Sequence, residues 1–302
     1  MLNDPQRYDY LPSIDRPVLH WPGGARVAVW VVPNIEHYEY DPPPSPVRSA
    51  LPRPAPDLSW LTLRDYGNRA GVWRMMEVMD RYGIRGSVSL NVAVCEHYPE
   101  IVEACVQRDW ELFSHGIYNT RYLYGMDADQ QLEVIADAKA TIRKASGQEL
   151  AGWLSPALSN TDETLDLLAQ SGLLYTADLM HDDQPLPVKV RTGRLISMPY
   201  SLEVNDYTCL VLKRMTPRRY TQTIKDQFDQ LYAEGADNPQ LMCLPLHPWL
   251  VGLPHRLREF DEALRYIARH DKVWLATGRE IAQWYYTHHY TNVQAALAAR
   301  KD

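Results

Sequence analysis

Three residues far apart in the chain carry the chemistry most open to reading: Glu36, His115 and His247, each just past a short apolar run. The runs are "ARVAVWVVPNI", "WELFS" and "LMCLPL". A carboxylate and two imidazoles suit hydrolysis in either of two ways. A histidine and a carboxylate can hold a metal that polarises a carbonyl and activates water. Without metal, a carboxylate base and a histidine acid can divide the proton transfers. Further polar groups stand at similar places. Asn34 and His37 flank Glu36, Asn119 follows His115 in "SHGIYN", and Asp178, Asp182 and Asp183 follow "LLYTA". Asn205 and Asp206 follow "MPYSLEV", and Trp249 lies just past His247. Of these, Asn34, His37, Asn119, Asp183, Asn205 and Trp249 are the candidates to contact a substrate. Each taken singly has a plainer use. A lone His115 is more often a hydrogen-bonded structural histidine, "DDQP" is a common turn composition, and His247-Pro248 can simply close a strand. Their shared position after strands favours a common site, because unrelated structural uses would scatter to both ends of a sheet.

The elements that must position these groups alternate in type. "ARVAVWVV" is nearly unbroken apolar sequence, as expected of a strand buried on both faces. "GVWRMMEVMDRYG" has apolar residues at helical spacing and a glycine stop, and "RGSVSLNVAV" follows as a strand. The pattern then predicts helix over 98–108, strand over 110–114, helix over 128–145, a short strand at "LAGWLS", and a helix at "TDETLDLLAQSG" capped by Thr161. Strands at "LLYTADL", "RLISMPY", "QLMCLPL" and "KVWLAT" are interleaved with helices at "TPRRYTQTIKDQFDQLYAEG", "RLREFDEALRYIARH" and "GREIAQWYY". About seven strands alternating with helices imply an α/β fold with a parallel sheet inside. In a parallel α/β barrel, catalytic groups gather at the C-terminal strand ends. The expected organisation is one domain: an N-terminal arm over 1–24, the barrel over 25–290, and a tail over 291–302, frayed from Gln294 to Asp302. "DPPPSPVRSALPRPAPD" (41–57) has seven prolines and must be a long loop inside the barrel domain.

Composition removes several function classes. The net charge of −7 argues against a phosphate-backbone binder, which needs a basic face. No apolar run approaches a membrane span, and the first residues lack the apolar stretch of a secretory leader, so a cytoplasmic protein is expected. Four scattered cysteines without a C-x-x-C pair read as small buried thiols. No G-x-S-x-G elbow, phosphate-binding loop or dinucleotide fingerprint is present, which argues against an acyl-enzyme and against nucleotide chemistry.

The ordered set "NIE", "SHGIYN", "GWLSP", "YTADLMHDD" and "LPLHPWLVGLPHR" resembles the polysaccharide deacetylase (NodB-homology) superfamily over roughly residues 25–286. Within it, "WVVPNIEHYEY", "PYSLEVND" and "HPWLVGLPHR" resemble the branch holding deacetylase-type allantoinase and cyclic imide hydrolases. The resemblance implies a distorted (β/α)7 barrel, usually with a divalent metal, zinc first among candidates. It also implies Glu36, His115 and Asn119 as the metal-ligand positions and His247 as the residue assisting the leaving group or oxyanion. The sequence departs from the family pattern at three places. Asn34 replaces the aspartate base, Asn119 replaces the second histidine, and Leu154 replaces an arginine before Ser155-Pro156. Asparagine is a poor zinc ligand beside imidazole, so either no metal or one weakly held divalent metal is expected. Together these readings favour a hydrolase opening a small cyclic amide, imide or ureide, with Glu36, His115 and His247 catalytic. A metal-dependent deacetylase of an N-acetylated sugar or small amide is the alternative, and a decayed ligand-binding barrel a second. The expected partners are a small-molecule substrate and further copies of the chain, as dimer or tetramer, with neither nucleic acid nor membrane.

Overall fold

The protein is described here from a computed structural model, which covers residues 6–44 and 56–300. Most of the Pro-rich loop expected over 41–57 therefore lies outside the described residues. The strand β1 (Val27–Ile35) is followed by helix α1 (Leu58–Tyr66), which runs through a π-helical turn, Gly67–Gly71, into α2 (Val72–Arg81). Then come β2 (Ser87–Leu90), α3 (Val94–His97), α4 (Pro99–Gln107), β3 (Glu111–Ser114) and α5 (Ala128–Ser146). The next elements are β4 (Gly152–Trp153), α6 (Thr164–Gln170), β5 (Tyr175–Thr176), β6 (Leu186–Val188) and β7 (Leu195–Ser197). A second π-helical turn, Tyr207–Leu212, leads to α7 (Pro217–Glu234), β8 (Gln240–Leu246), α8 (Pro248–Val251) and α9 (Pro254–Ala268). Strand β9 (Val273–Leu275) and helices α10 (Gly278–His288) and α11 (Tyr290–Ala299) close the chain.

The strands form one curled sheet in the order β6-β7-β5-β4-β3-β2-β1-β8, with β9 also paired to β1. All pairings are parallel except β6 with β7. This is the α/β parallel arrangement expected from the alternating pattern, curled into the distorted barrel that the family resemblance implies. Strand β1 is central. It pairs with β8 along one edge, and with β9 and then β2 along the other. Every residue from Val27 to Ile35 is buried, as a strand covered on both faces requires. Trp30 packs with Phe113 and Tyr175 inside the curl. Gly152 makes room for that packing, since a Cβ there would stand 2.0 Å from the Tyr175 ring. Long helices begin and end where the sequence signals them. Asp127 caps α5 in a reciprocal pair with Gln130, and Gly147 ends it at φ 74°. Thr277 and Glu280 do the same at the start of α10.

Three elements depart from the sequence expectation. The residues read as a frayed tail are helical through Ala299, because Val293 and Leu297 bury an apolar stripe against the body. The strand β6 is antiparallel and only three residues long, too short for a period-2 signal. Helix α1 escaped notice because its pattern is inverted: Leu58, Trp60 and Leu63 face solvent while Arg64 is 9% exposed. The N-terminal arm has two short 3-10 turns, Ser13–Asp15 and Pro22–Gly24, and is tied to the barrel. Arg16 clamps Asp182, and Trp21 Nε1 donates to the Gln240 carbonyl at 2.9 Å. Cys105, Cys209 and Cys243 are buried, while Cys95 is half-buried. Among the described residues no helix is long and apolar enough to cross a membrane.

Candidate active site

Glu36 is the first residue past β1, and its backbone carbonyl is held at 2.9 Å by the Asn68 amide from the π-helical turn. Its carboxylate is the meeting point of four side chains. Oε1 lies 3.5 Å from His247 Nε2 and 3.9 Å from His115 Nε2. Oε2 accepts the Tyr38 hydroxyl at 2.7 Å and lies 3.9 Å from Arg64 Nη1. The Tyr38 oxygen in turn accepts from Arg64 Nη1 at 3.0 Å and from Asn119 Nδ2 at 2.6 Å. The Arg64 guanidinium carbon lies over Trp249, 3.7 Å from the ring centroid, and 5.7 Å from that of Tyr207. Stacking of this kind fixes a guanidinium plane while leaving its edge for hydrogen bonding.

The two histidines are held by different partners and so take different charge states. His115 follows β3, and its Nδ1 donates to the Leu154 carbonyl at 2.9 Å, which leaves the Nε2 lone pair facing Glu36. Burial pushes its pKa below the usual histidine value, against the pull of Glu36. His247 follows β8. Asp206, fully buried at the head of the second π-helical turn, accepts the His247 backbone N–H at 2.7 Å and Nδ1–H at 2.6 Å. Burial lowers the His247 pKa, but Asp206 and Glu36 override it and raise the value to about 10. Glu36 shows the converse. Burial favours its neutral acid, yet His247, Arg64 and His115 bring its pKa down to about 2. At neutral pH the centre therefore holds a carboxylate, an imidazolium and a neutral imidazole. Pairs of groups pushed apart in this way are how enzymes separate acid from base.

A cavity of about 470 Å³ opens onto Glu36 and Arg64 between α1 and the 36–41 segment, and His115 and His247 adjoin it through the Glu36 carboxylate. His37 lines it, with its pKa lowered to about 4 by burial and by neighbouring His97. Asn119 keeps its Oδ1 buried and without a partner. Asn34 is turned into the scaffold: its amide nitrogen donates to the Leu246 carbonyl at 3.3 Å and its oxygen accepts from Tyr200 at 3.2 Å. Asn205 caps the second π-helical turn by accepting the Tyr207 N–H at 2.9 Å. Asp178 binds Ser155 through both oxygens, at 2.7 and 2.8 Å, and burial raises its pKa to about 6 against those bonds. That contact braces the segment whose Leu154 carbonyl orients His115.

Asp183 does not join this group. Its carbonyl accepts from the N–H of Leu241, at the start of β8. Leu241 and His247 are six residue steps apart, roughly 20 Å along the extended strand. The expectation failed because β5 does not lead into a helix at the rim. The chain leaving it crosses toward the opposite end of β8 and the N-terminal arm. Sequence reasoning also passed over Arg64, Tyr38 and Asn68. The signal available was an arginine at the buried position of an otherwise outward-facing apolar helix, which no periodicity template seeks. Asp206 was noticed only as part of a strand-exit pair, not as the partner of His247.

The polysaccharide deacetylase family model matches residues 53–176. A Schizosaccharomyces pombe protein assigned to the polysaccharide deacetylases is 29% identical, covering 89% of this chain and 93% of that protein. A crystal structure from Pseudomonas aeruginosa PAO1 with the same assignment superposes with a TM-score of 0.82 at 28% identity, covering 90% of this chain and 95% of the other. The crystal structure of PuuE allantoinase superposes at 0.80 and 27% identity, covering 93% and 99%. The chain carries a polysaccharide deacetylase domain. Over residues 53–176 and in its overall fold the chain is similar to the polysaccharide deacetylases. Members of this family are often metal-dependent. In the present deacetylase domain, Glu36, His115 and Asn119 would be the residues to hold a divalent ion. They fit it poorly. They offer one anion, one imidazole and one amide oxygen, and the Arg64 guanidinium and the His247 imidazolium already flank the single carboxylate. A dication placed there would face two positive groups without a second anion among its ligands.

Proposed function

We propose that this protein is a hydrolase that opens the C–N bond of a small cyclic amide, imide or ureide, without a metal in the reaction. The observation that carries the reading is one carboxylate shared by two histidines held in opposite charge states. The likeness to an allantoinase over nearly the whole chain supports the ring-opening class.

The steps follow from the geometry. In this reading a water bridges Glu36 Oε1 and His115 Nε2 from the side, donating to both atoms, which stand 3.9 Å apart. His115, neutral and with Nδ1 fixed as donor, takes the water's proton on Nε2 as the oxygen attacks the ring carbonyl. The imidazolium of His247 and the guanidinium edge of Arg64 stabilise the charge that develops on the carbonyl oxygen. As the C–N bond breaks, His247 Nε2 gives its proton to the leaving ring nitrogen. Glu36, within 4 Å of both rings, then relays the proton from His115 back to His247. Asp206 keeps His247 in the tautomer that makes this possible.

The test is turnover of succinimide, hydantoin, dihydrouracil and allantoin, each with chelator and with added zinc, by wild type and Glu36→Gln. Ring opening that survives chelation and is lost in the variant is expected. No opening in any condition, or acetate release from chitooligosaccharides in its place, overturns the reading.

A further inference from the structure

The cavity is larger than the proposed reaction needs, and its outer wall is built of rings. A bare hydantoin or succinimide has about seven non-hydrogen atoms and fills about 200 Å³ if each takes a water's share of liquid volume. The cavity holds about 470 Å³. Of its lining residues Glu36 and Arg64 are buried, while His37, Tyr98 and Tyr118 are half-buried and His97 is exposed. These rings form one cluster. His37 and His97 stack at 4.1 Å with their planes 20° apart. Tyr98 and Tyr118 lie 5.5 and 5.7 Å from the His37 centroid, the first edge-on and the second tilted. His97 is exposed and Tyr118 half-buried, so both keep surface turned outward. The backbone beneath is fixed: the His37 N–H donates to Asn91 Oδ1 at 3.0 Å, and the Asn119 N–H donates to the His37 carbonyl at 2.9 Å.

The charges on this wall, Asp41 apart, are already matched. Arg121 holds Glu39 at 2.8 Å, Arg69 holds Asp65, and Tyr98 also donates to Asp65 at 2.6 Å. Asp41 is exposed to solvent. An anionic substituent would enter without a free counter-ion and lose its hydration, and a cationic one would meet only the solvent-exposed Asp41, whose charge is screened by water. An uncharged aromatic group would lose little hydration and gain ring contacts.

We infer that the cluster of His37, His97, Tyr98 and Tyr118 is a second subsite, one that binds an uncharged aryl substituent carried by the ring to be opened. It rests on the ring-opening reading for its place in turnover, though not for binding. The substrate class is thereby narrowed to cyclic amides, imides or ureides bearing an aromatic side group.

The experiment compares hydantoin, 5-isobutylhydantoin and 5-phenylhydantoin on the full chain, with His97→Ala and Tyr118→Ala as variants outside the reacting centre. Two readouts are taken: kcat/KM on the variants, and calorimetric Kd on the inactive Glu36→Gln protein with and without each alanine change. A ring contact is worth about three- to tenfold in affinity. The phenyl compound is expected to bind and react at least that much better than the isobutyl one. Each alanine variant should cut the phenyl values by a similar factor and leave hydantoin unchanged. If wild type opens no ring but the phenyl preference in Kd persists and falls in both alanine variants, the subsite stands and the ring-opening reading falls. Equal affinity for phenyl and isobutyl compounds, no binding of any of the three, or equal losses on all three overturns the subsite.

Discussion

Replacing Asp206 by Asn tests the charge arrangement most directly. The carboxylate accepts two N–H groups from one residue, the backbone and ring Nδ1 of His247. An asparagine of the same shape can accept only one, because its amide nitrogen meets the other donor. Asp206 is also the largest of the influences that lift the His247 pKa from 6.5 to about 10. That lift equals a preference for the imidazolium on the order of 5 kcal/mol at about 1.4 kcal/mol per unit. With Asp206 neutral, Glu36 alone opposes burial, and the pKa should fall. The alkaline limb of kcat/KM, near 10 in wild type, should move down by at least about two units. At pH 9 the variant should retain about a tenth or less of the wild-type rate, because the proton on the general acid is then mostly lost. The assay is ring opening from pH 5 to 11 beside an NMR titration of the His247 ring. A lower rate with the alkaline limb and the titration midpoint unmoved would refute the reasoning, since a structural defect alone would give that pattern.

Further outcomes follow from the same contacts. In wild type, the folded state holds a proton on His247 that the unfolded chain releases above 6.5, so stability falls as pH rises from 6.5 to about 10, by at most about 1.4 kcal/mol per unit. Urea midpoints at pH 6, 8 and 10 check it, and a midpoint that rises over this range contradicts it. Arg64→Lys keeps the charge but loses the stack on Trp249, and should lower kcat by about tenfold or more with a smaller change in KM. An unchanged kcat would remove Arg64 from the reacting centre. Chelation of the purified protein should leave both kcat and thermal midpoint unchanged, and a drop in either that zinc restores would show that the donor set does hold a metal. Gly71→Ala should destabilise by about 1–3 kcal/mol or more, because the added Cβ would stand 2.1 Å from the Pro248 carbonyl, next to His247. Differential scanning calorimetry reads this out, and an unshifted midpoint would mean the helix slides freely.

Much of the architecture is written in local pattern. The run from Val27 to Val32, the capped helix over 128–146 and the helix of α7 are legible because burial on two faces, caps and helical spacing leave signals within one stretch of chain. Glu36, His115 and His247 are legible for a related reason: each follows a strand, and parallel strands deliver their exits to one end. What the sequence leaves open is which strand exits truly face one another. Asp183 follows β5 by seven residues, yet its backbone pairs near the start of β8. The charge states are likewise set by tertiary neighbours. His115 and His247 are the same residue type, and only the carbonyl of Leu154 against one ring and the carboxylate of Asp206 against the other separates base from acid. Arg64 shows the limit most clearly, because its helix hides a charge and exposes its leucines. The energy that permits this comes from Glu36, Tyr38 and Trp249, which lie elsewhere in the chain and meet Arg64 only once the sheet has curled.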